Sequence, residues 1–208
     1  MPAIRRLMRE DWLATAKKIL VQSGVDDIKI DRLAKRLKVT RGSFYWHFRS
    51  RSDLLSAILK DWEVRNQVEI SQIQDRWAET GPDLNEVSAI WLGEDPDFQA
   101  QDLAIRSWGR KAPPVAQAVH RIDEAWIDLF SQLYRQDGYD ADQSLVRARI
   151  AYFHQVGYYA LALREDLDTR IRLAPIFYEA LTGKKPGKSF DDVIARIRTQ
   201  KRSREAKP

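Results

Sequence analysis

The sequence predicts an all-α fold, with a small three-helix domain at the N-terminus and a larger helical domain after it. Three observations lead there. Apolar residues recur at i, i+3, i+4 and i+7 along most of the chain, no stretch alternates with period two in strand-favouring residues, and Gly or Pro interrupts the pattern at intervals of helix length. With 44% apolar residues in 208, there is enough to bury a core.

The first helix is predicted over 9–23, with Trp12, Leu13, Ala16, Ile19 and Leu20 inward and Gly24 as the stop. Ile30, Leu33, Ala34 and Leu37 make one apolar stripe on a second, short helix. Val39 is apolar at the turn, and Thr40 carries a hydroxyl suited to capping a third helix that begins at Arg41. In that helix Phe44 and Phe48 are the core anchors, four residues apart. Arg41, Ser43, Tyr45, Trp46 and His47 are left for other faces. Two short helices around a tight turn, with aromatic and basic groups exposed on the second, form a helix-turn-helix of the kind that reads DNA.

A fourth helix is predicted from Ser50 or Ser52, through Leu54, Leu55, Ile58, Leu59 and Trp62 toward about Trp77, ending before Gly81-Pro82. Further helices are expected over 83–92, 97–109, 113–136, 140–164 and 174–182, with breaks at 93–96, 111–114, Gly138 and Gly183. Pro175 requires the last of these to begin near it or to kink. The expected organisation is a DNA-binding domain over 1–52, a helix-four linker over about 53–77, a regulatory domain over 78–183, and a basic tail over 184–208. In the tail a short helix is expected at 190–198, with the last ten residues disordered; the tail is read as solubilising, with an extra arm on DNA phosphates as the alternative.

Residues 8–62 resemble the DNA-binding domain of the tetracycline-repressor (TetR) family of transcriptional regulators. The resemblance rests on Ala16 to Gly24, on Ile30 to Leu37, and above all on the run from Val39 to Phe48 followed by Arg51-Ser52-Asp53-Leu54-Leu55. Two positions depart from the family pattern. Lys38 stands where Gly usually turns the chain, so a positive φ there would carry strain. Lys29 stands where Thr or Ser often caps the supporting helix.

The resemblance implies phosphate-side contacts from Thr40, Tyr45, His47 and Arg51. Arg41, Ser43 and Trp46 are candidates for base edges, and Lys29 or Arg32 for the DNA backbone. Gly42 would let the helix approach closely. Charge supports this placement: residues 1–60 hold 14 Lys+Arg against 6 Asp+Glu, whereas residues 61–183 hold 12 against 21. Phosphates are thus drawn to one part of the chain and repelled by another.

One helix-turn-helix spans few base pairs, so a homodimer on a palindromic operator is expected. The family's dimer uses the last two large helices, which places Ala151, Gly157, Ala160, Leu161, Ile176 and Phe177 at that interface. The resemblance also implies a repressor released by a small apolar or aromatic ligand. Trp91, Trp108, Trp126, Tyr152 and His154 are the candidate lining. A regulator that answers to a protein partner, or to nothing, is the alternative.

A helical enzyme is the weaker alternative. No catalytic residue, metal site or cofactor is expected: Cys is absent, the three histidines His47, His120 and His154 lack metal-ligand spacing, and no Gly-rich phosphate loop occurs. No uncharged apolar run reaches the roughly 18 residues of a membrane span. The first residues lack the apolar stretch of a secretory signal, so a cytoplasmic location is expected.

Overall fold

The computed structural model describes residues 7–84, 87, 96–161 and 165–205. Among them are helices and turns and no strand: α1 (Arg9–Ser23), a 3₁₀ turn (Val25–Asp27), α2 (Ile30–Leu37), α3 (Arg41–Phe44), α4 (Arg51–Thr80), α5 (Pro96–Gly109), α6 (Pro113–Gln136), α7 (Ala141–Ala160), α8 (Leu167–Thr182) and α9 (Lys188–Glu205). The chain is all-α. Most of the helix expected over 83–92 lies outside the described residues. Two compact units are present, residues 1–67 with 97–122 and residues 68–96 with 123–208. This division differs from the one expected at residue 52, because α5 and the first part of α6 pack with the N-terminal helices.

In the first unit Trp12, Ala16, Ile19 and Leu20 of α1 are buried with Leu33 and Ala34 of α2, Phe44 of α3, Phe48, and Leu54, Ile58 and Trp62 of α4. Trp12 meets Phe44 edge-on at 5.4 Å, and Phe44 stacks on Phe48 at 5.5 Å. Such aromatic pairs add about 0.5–1.5 kcal/mol each beyond the area they bury. Lys17 pairs with Asp61, tying α1 to α4. The Trp62 indole N–H donates to Asp102 Oδ1 at 3.0 Å, and Arg106 Nε–H donates to Oδ2 of the same carboxylate at 2.7 Å. Asp102 is buried, and a buried carboxylate is tolerable only when it is held this way.

The turn after α2 has the geometry that its sequence makes costly. Lys38 has φ 56°, in the left-handed region, with its N–H to the Lys35 carbonyl at 3.3 Å and the Val39 N–H to the Ala34 carbonyl at 3.0 Å. This is a Schellman closure with lysine in the place that glycine usually holds. α3 begins at Arg41 as expected, but Thr40 makes no side-chain capping bond and the helix ends at Phe44, giving way to a turn over 45–47.

The second unit buries Ile70, Ile73 and Trp77 of α4, Trp126, Leu129, Phe130, Leu133 and Tyr134 of α6, and Ala148, Ala151 and Tyr152 of α7. Asp140 and Gln143 form a capping box at the start of α7. The helix expected from 174 instead starts at Leu167, where Asp166 Oδ1 accepts the Thr169 N–H at 2.7 Å, so Pro175 lies inside α8. Disorder over residues 199–205 is also corrected: α9 continues to Glu205. The short helix expected at 190–198 lies within it, and its Phe190, Val193, Ile194 and Ile197 bury against Ile171, with Leu167, Ala174 and Tyr178 of α8 alongside. Those four side chains belong to the second unit's core.

Candidate nucleic-acid interface

α3 is short because only one of its side chains needs the core. Phe44 is fully buried, Phe48 follows one turn later, and between and beside these two anchors Arg41, Tyr45 and Trp46 are exposed. Trp46 is 87% exposed and Tyr45 51%. Large aromatics that stand in water on a basic segment are costly without a partner.

Arg41 is exposed, and its guanidinium lies 3.5 Å from the Tyr45 hydroxyl and 3.6 Å from an Asp31 carboxylate oxygen. The hydrogen bond to Tyr45, then the charge of Asp31, raise the pKa of Arg41 further. The guanidinium, charged in any protein, is open to solvent near the start of α3. Thr40 and Lys29 are exposed, and Ser43 is partly buried. A Cβ on Gly42 would meet the Thr40 hydroxyl at 3.7 Å, ordinary contact, so glycine here is not required by packing within the chain. His47 is half-buried with its ring 6.4 Å from that of Trp12, which combines core packing with an accessible edge.

Two expected backbone contacts are occupied within the chain. Arg32 pairs with Asp27 at 2.7 Å and reaches the Ser23 hydroxyl at 3.3 Å. Arg51 donates from Nε to the Ile28 carbonyl and from Nη2 to the Val25 carbonyl, both at 2.6 Å. Conversely, Lys38 and Arg49 are exposed basic residues flanking α3 in sequence that the motif reading passed over. Their position on either side of the aromatic run was the available signal.

Residues 13–58 match the family model described as bacterial regulatory proteins, tetR family. This N-terminal domain belongs to the TetR family. The chain is 41% identical over 56 residues to the HTH-type transcriptional regulator AcrR of Shigella flexneri, a stretch covering 27% of this chain and 25% of that relative. The match thus spans about a quarter of the relative's length. The crystal structure of a TetR-family transcriptional regulator from Marinobacter aquaeolei VT8 is similar at a TM-score of 0.62 and 15% identity, covering 93% of this chain and 98% of that one. The structure of the multidrug binding protein EbrR complexed with imidazole is similar at 0.56 and 16%, covering 88% and 97%. These structural likenesses are of fold alone and cover more of the chain than residues 13–58.

Outside the TetR-family domain the other candidates separate. Trp91 lies outside the described residues. Trp108 is half-buried in the first unit; Trp126, Tyr152 and His154 belong to the second. Trp126 stacks on Phe130 at 6.3 Å, and the Tyr152 hydroxyl donates to Asp123 Oδ1 at 2.7 Å. His154 lies 4.6 Å from the Phe177 ring, and burial lowers its pKa.

Of the interface candidates, Ala151 is fully buried within its own chain and is corrected to a core residue. Gly157 is half-buried and Ala160 exposed. Leu161, Ile176 and Phe177 are exposed, Leu161 at 73% and Ile176 at 65%. Val146, Ile150 and Phe153 are exposed as well, at i, i+4 and i+7 on α7. Helical spacing places them on the same stripe as Gly157 and Ala160, which fall at i+11 and i+14 from Val146. Among the described residues no group of His, Asp or Glu is arranged to hold a metal, and no helix is long and apolar enough to cross a membrane.

Proposed function

We propose that this chain is a sequence-specific DNA-binding transcriptional regulator, acting as a homodimeric repressor on a palindromic operator and released by a small apolar or aromatic ligand. The observation that carries the reading is the surface of α3 and its following turn. Arg41, Tyr45 and Trp46 stand in solvent on a backbone rooted by Phe44 and Phe48, in the part of the chain with the largest positive excess. Arg41 supplies a fork for a guanine edge, Trp46 an apolar face for a thymine methyl, and Tyr45 a hydroxyl for a phosphate.

Dimerisation is supported by the apolar surface that α7 and α8 leave uncovered, from Val146 through Ile150 and Phe153 and on to Ile176. Such a surface on two long helices is the kind that pairs with its own copy. Two recognition helices about 34–36 Å apart would then read successive major-groove faces. Ligand release is supported by the likeness to the multidrug binding protein EbrR in its complex with imidazole, and by aromatic side chains in the second unit. A bound molecule would act by favouring a form whose α3 spacing no longer fits DNA.

The test uses duplexes selected from a random library by the full chain. Arg41→Ala should relax preference at one base pair, at a cost of about 1–3 kcal/mol for the favoured base. Tyr45→Phe should weaken all sequences alike. A uniform loss with Arg41→Ala across a base-substitution series would contradict the base-reading role.

A further inference from the structure

The guanidinium of Arg51 makes a contact that a phosphate-binding side chain would not make. It belongs to the first residue of α4, and that helix start is already closed by its own neighbours. The Asp53 N–H donates to the Ser50 hydroxyl at 3.1 Å, and the Asp53 carboxylate accepts the Arg49 N–H at 3.0 Å. From this fixed base the guanidinium reaches back to the turn before α2. Nε–H meets the Ile28 carbonyl and Nη2–H the Val25 carbonyl, each at 2.6 Å. Arg51 itself is only partly exposed.

We infer that Arg51 is a positioning residue, a two-pronged staple between α4 and the turn over 25–28 that fixes where α2, and through it α3, sits. The inference rests on the DNA-binding reading above and changes the role of one residue within it. The turn needs such a staple. Lys29, which precedes α2, makes no side-chain capping bond, and the other side-chain tie from α2 to the turn is the Arg32–Asp27 ion pair at 2.7 Å, which is open to solvent. The Ile28 side chain is fully buried and pins the turn at one point. The two hydrogen bonds from Arg51 hold it at two more, the Val25 and Ile28 carbonyls. Only a planar guanidinium offers two N–H vectors at that spacing from one side chain; an ammonium is a single point donor. Downstream, only the tight turn over 38–40, with the left-handed Lys38, separates α2 from α3. A tilt at residue 28 is therefore transmitted to Arg41 and Trp46.

The test compares Arg51→Lys with Arg51→Ala in the full chain. Amide hydrogen exchange is followed in the free protein, and affinity is measured on a duplex selected by the wild type and on a random-sequence duplex of equal length. A staple predicts that lysine fails to rescue. Both variants lose protection at the Asp27, Ile28 and Lys29 amides, and both lower the ratio of specific to random binding by about fivefold or more, the equivalent of one lost hydrogen bond. The salt slope stays at the wild-type value. A phosphate contact predicts the reverse: lysine keeps wild-type affinity, and alanine lowers both duplexes alike with the salt slope smaller by about one. That result, or unchanged protection of the turn in both variants, overturns the inference. Arg51→Lys keeps the charge and stem if alanine fails to fold. If the wild type selects no sequence, the DNA-binding reading fails instead, and the exchange measurement alone decides the staple.

Discussion

Lys38 and Trp46 show, one residue apiece, what this N-terminal domain has sacrificed and what it has kept. Lys38 adopts φ 56° with an exposed side chain, a backbone choice that costs a non-glycine residue about 1–2 kcal/mol. Lys38→Gly should therefore stabilise the first unit by about 0.5–1 kcal/mol, after allowing for the extra freedom of an unfolded glycine. The check is the midpoint of urea denaturation, which should rise. Trp46, by contrast, contributes little to the fold at 87% exposure. Trp46→Ala should leave stability within about 0.5 kcal/mol while it removes specific DNA binding. A large drop in melting temperature would show instead that the indole packs.

His154 gives a pH dependence whose sign is fixed by burial. Its folded pKa lies below the ordinary 6.5 because burial disfavours the cation. As pH falls below 6.5 the unfolded chain takes up a proton that the folded chain refuses, so stability is lost through that range and the loss levels off below the folded pKa. Its neighbours include Tyr158 and Phe177, with ring centroids at 6.1 and 4.6 Å, and Arg170 lies over the Tyr158 ring. His154→Phe should flatten the slope between pH 6.5 and 5 in thermal melts. At this scale the motif residues were legible, since Phe44 and Phe48 are buried and Tyr45 and Trp46 exposed as their spacing required. The Arg51 contacts were not, because they join residues 23 and 26 positions apart and no local pattern encodes such a reach.

Among the elements, α9 changes the picture most. Its Phe190, Val193, Ile194 and Ile197 sit at helical i, i+3, i+4 and i+7 positions and are buried beside Ile171. The pattern is present in the sequence and predicts a short helix over 190–198, but nothing local in it shows that the helix packs on α8. Deleting residues 184–208 should therefore lower the melting temperature markedly. It exposes the Ile171 face of α8 and removes four buried apolar side chains worth about 1.5–3 kcal/mol each. A tail without structure predicts no change. The same deletion cuts the Lys184 ion pair to Asp137, 2.6 Å long, but that exposed pair contributes little. Pro175 predicts a helix that begins near it or kinks there; α8 begins instead at Leu167, and the proline only denies an N–H to the Ile171 carbonyl within a helix already secured by the Asp166 cap.

In the whole molecule a basic N-terminal stretch is followed by an acidic one that carries exposed apolar side chains on α7 and α8. The charge division favours phosphates at the first stretch, and the proposed dimer would use the exposed side chains of α7 and α8. Substituting Phe153→Asp should yield the mass of a single chain in light scattering at micromolar concentration, with the wild type at twice that mass. A single-chain mass for the wild type would remove the dimer. The fold class was legible because helical periodicity is local, whereas the division into two units, with 97–122 grouped beside the N-terminal helices, depends on long-range packing that periodicity does not carry.

The most direct test of the central claim is selection of duplexes from a random library by the full chain, with Arg41→Ala and Trp46→Ala run in parallel. The account predicts that the wild type enriches a two-fold symmetric site. Arg41→Ala should degenerate one base pair in each half-site, and Trp46→Ala should enrich nothing. Recovery of unenriched sequences by the wild type, or the same site at the same strength from all three proteins, would contradict it.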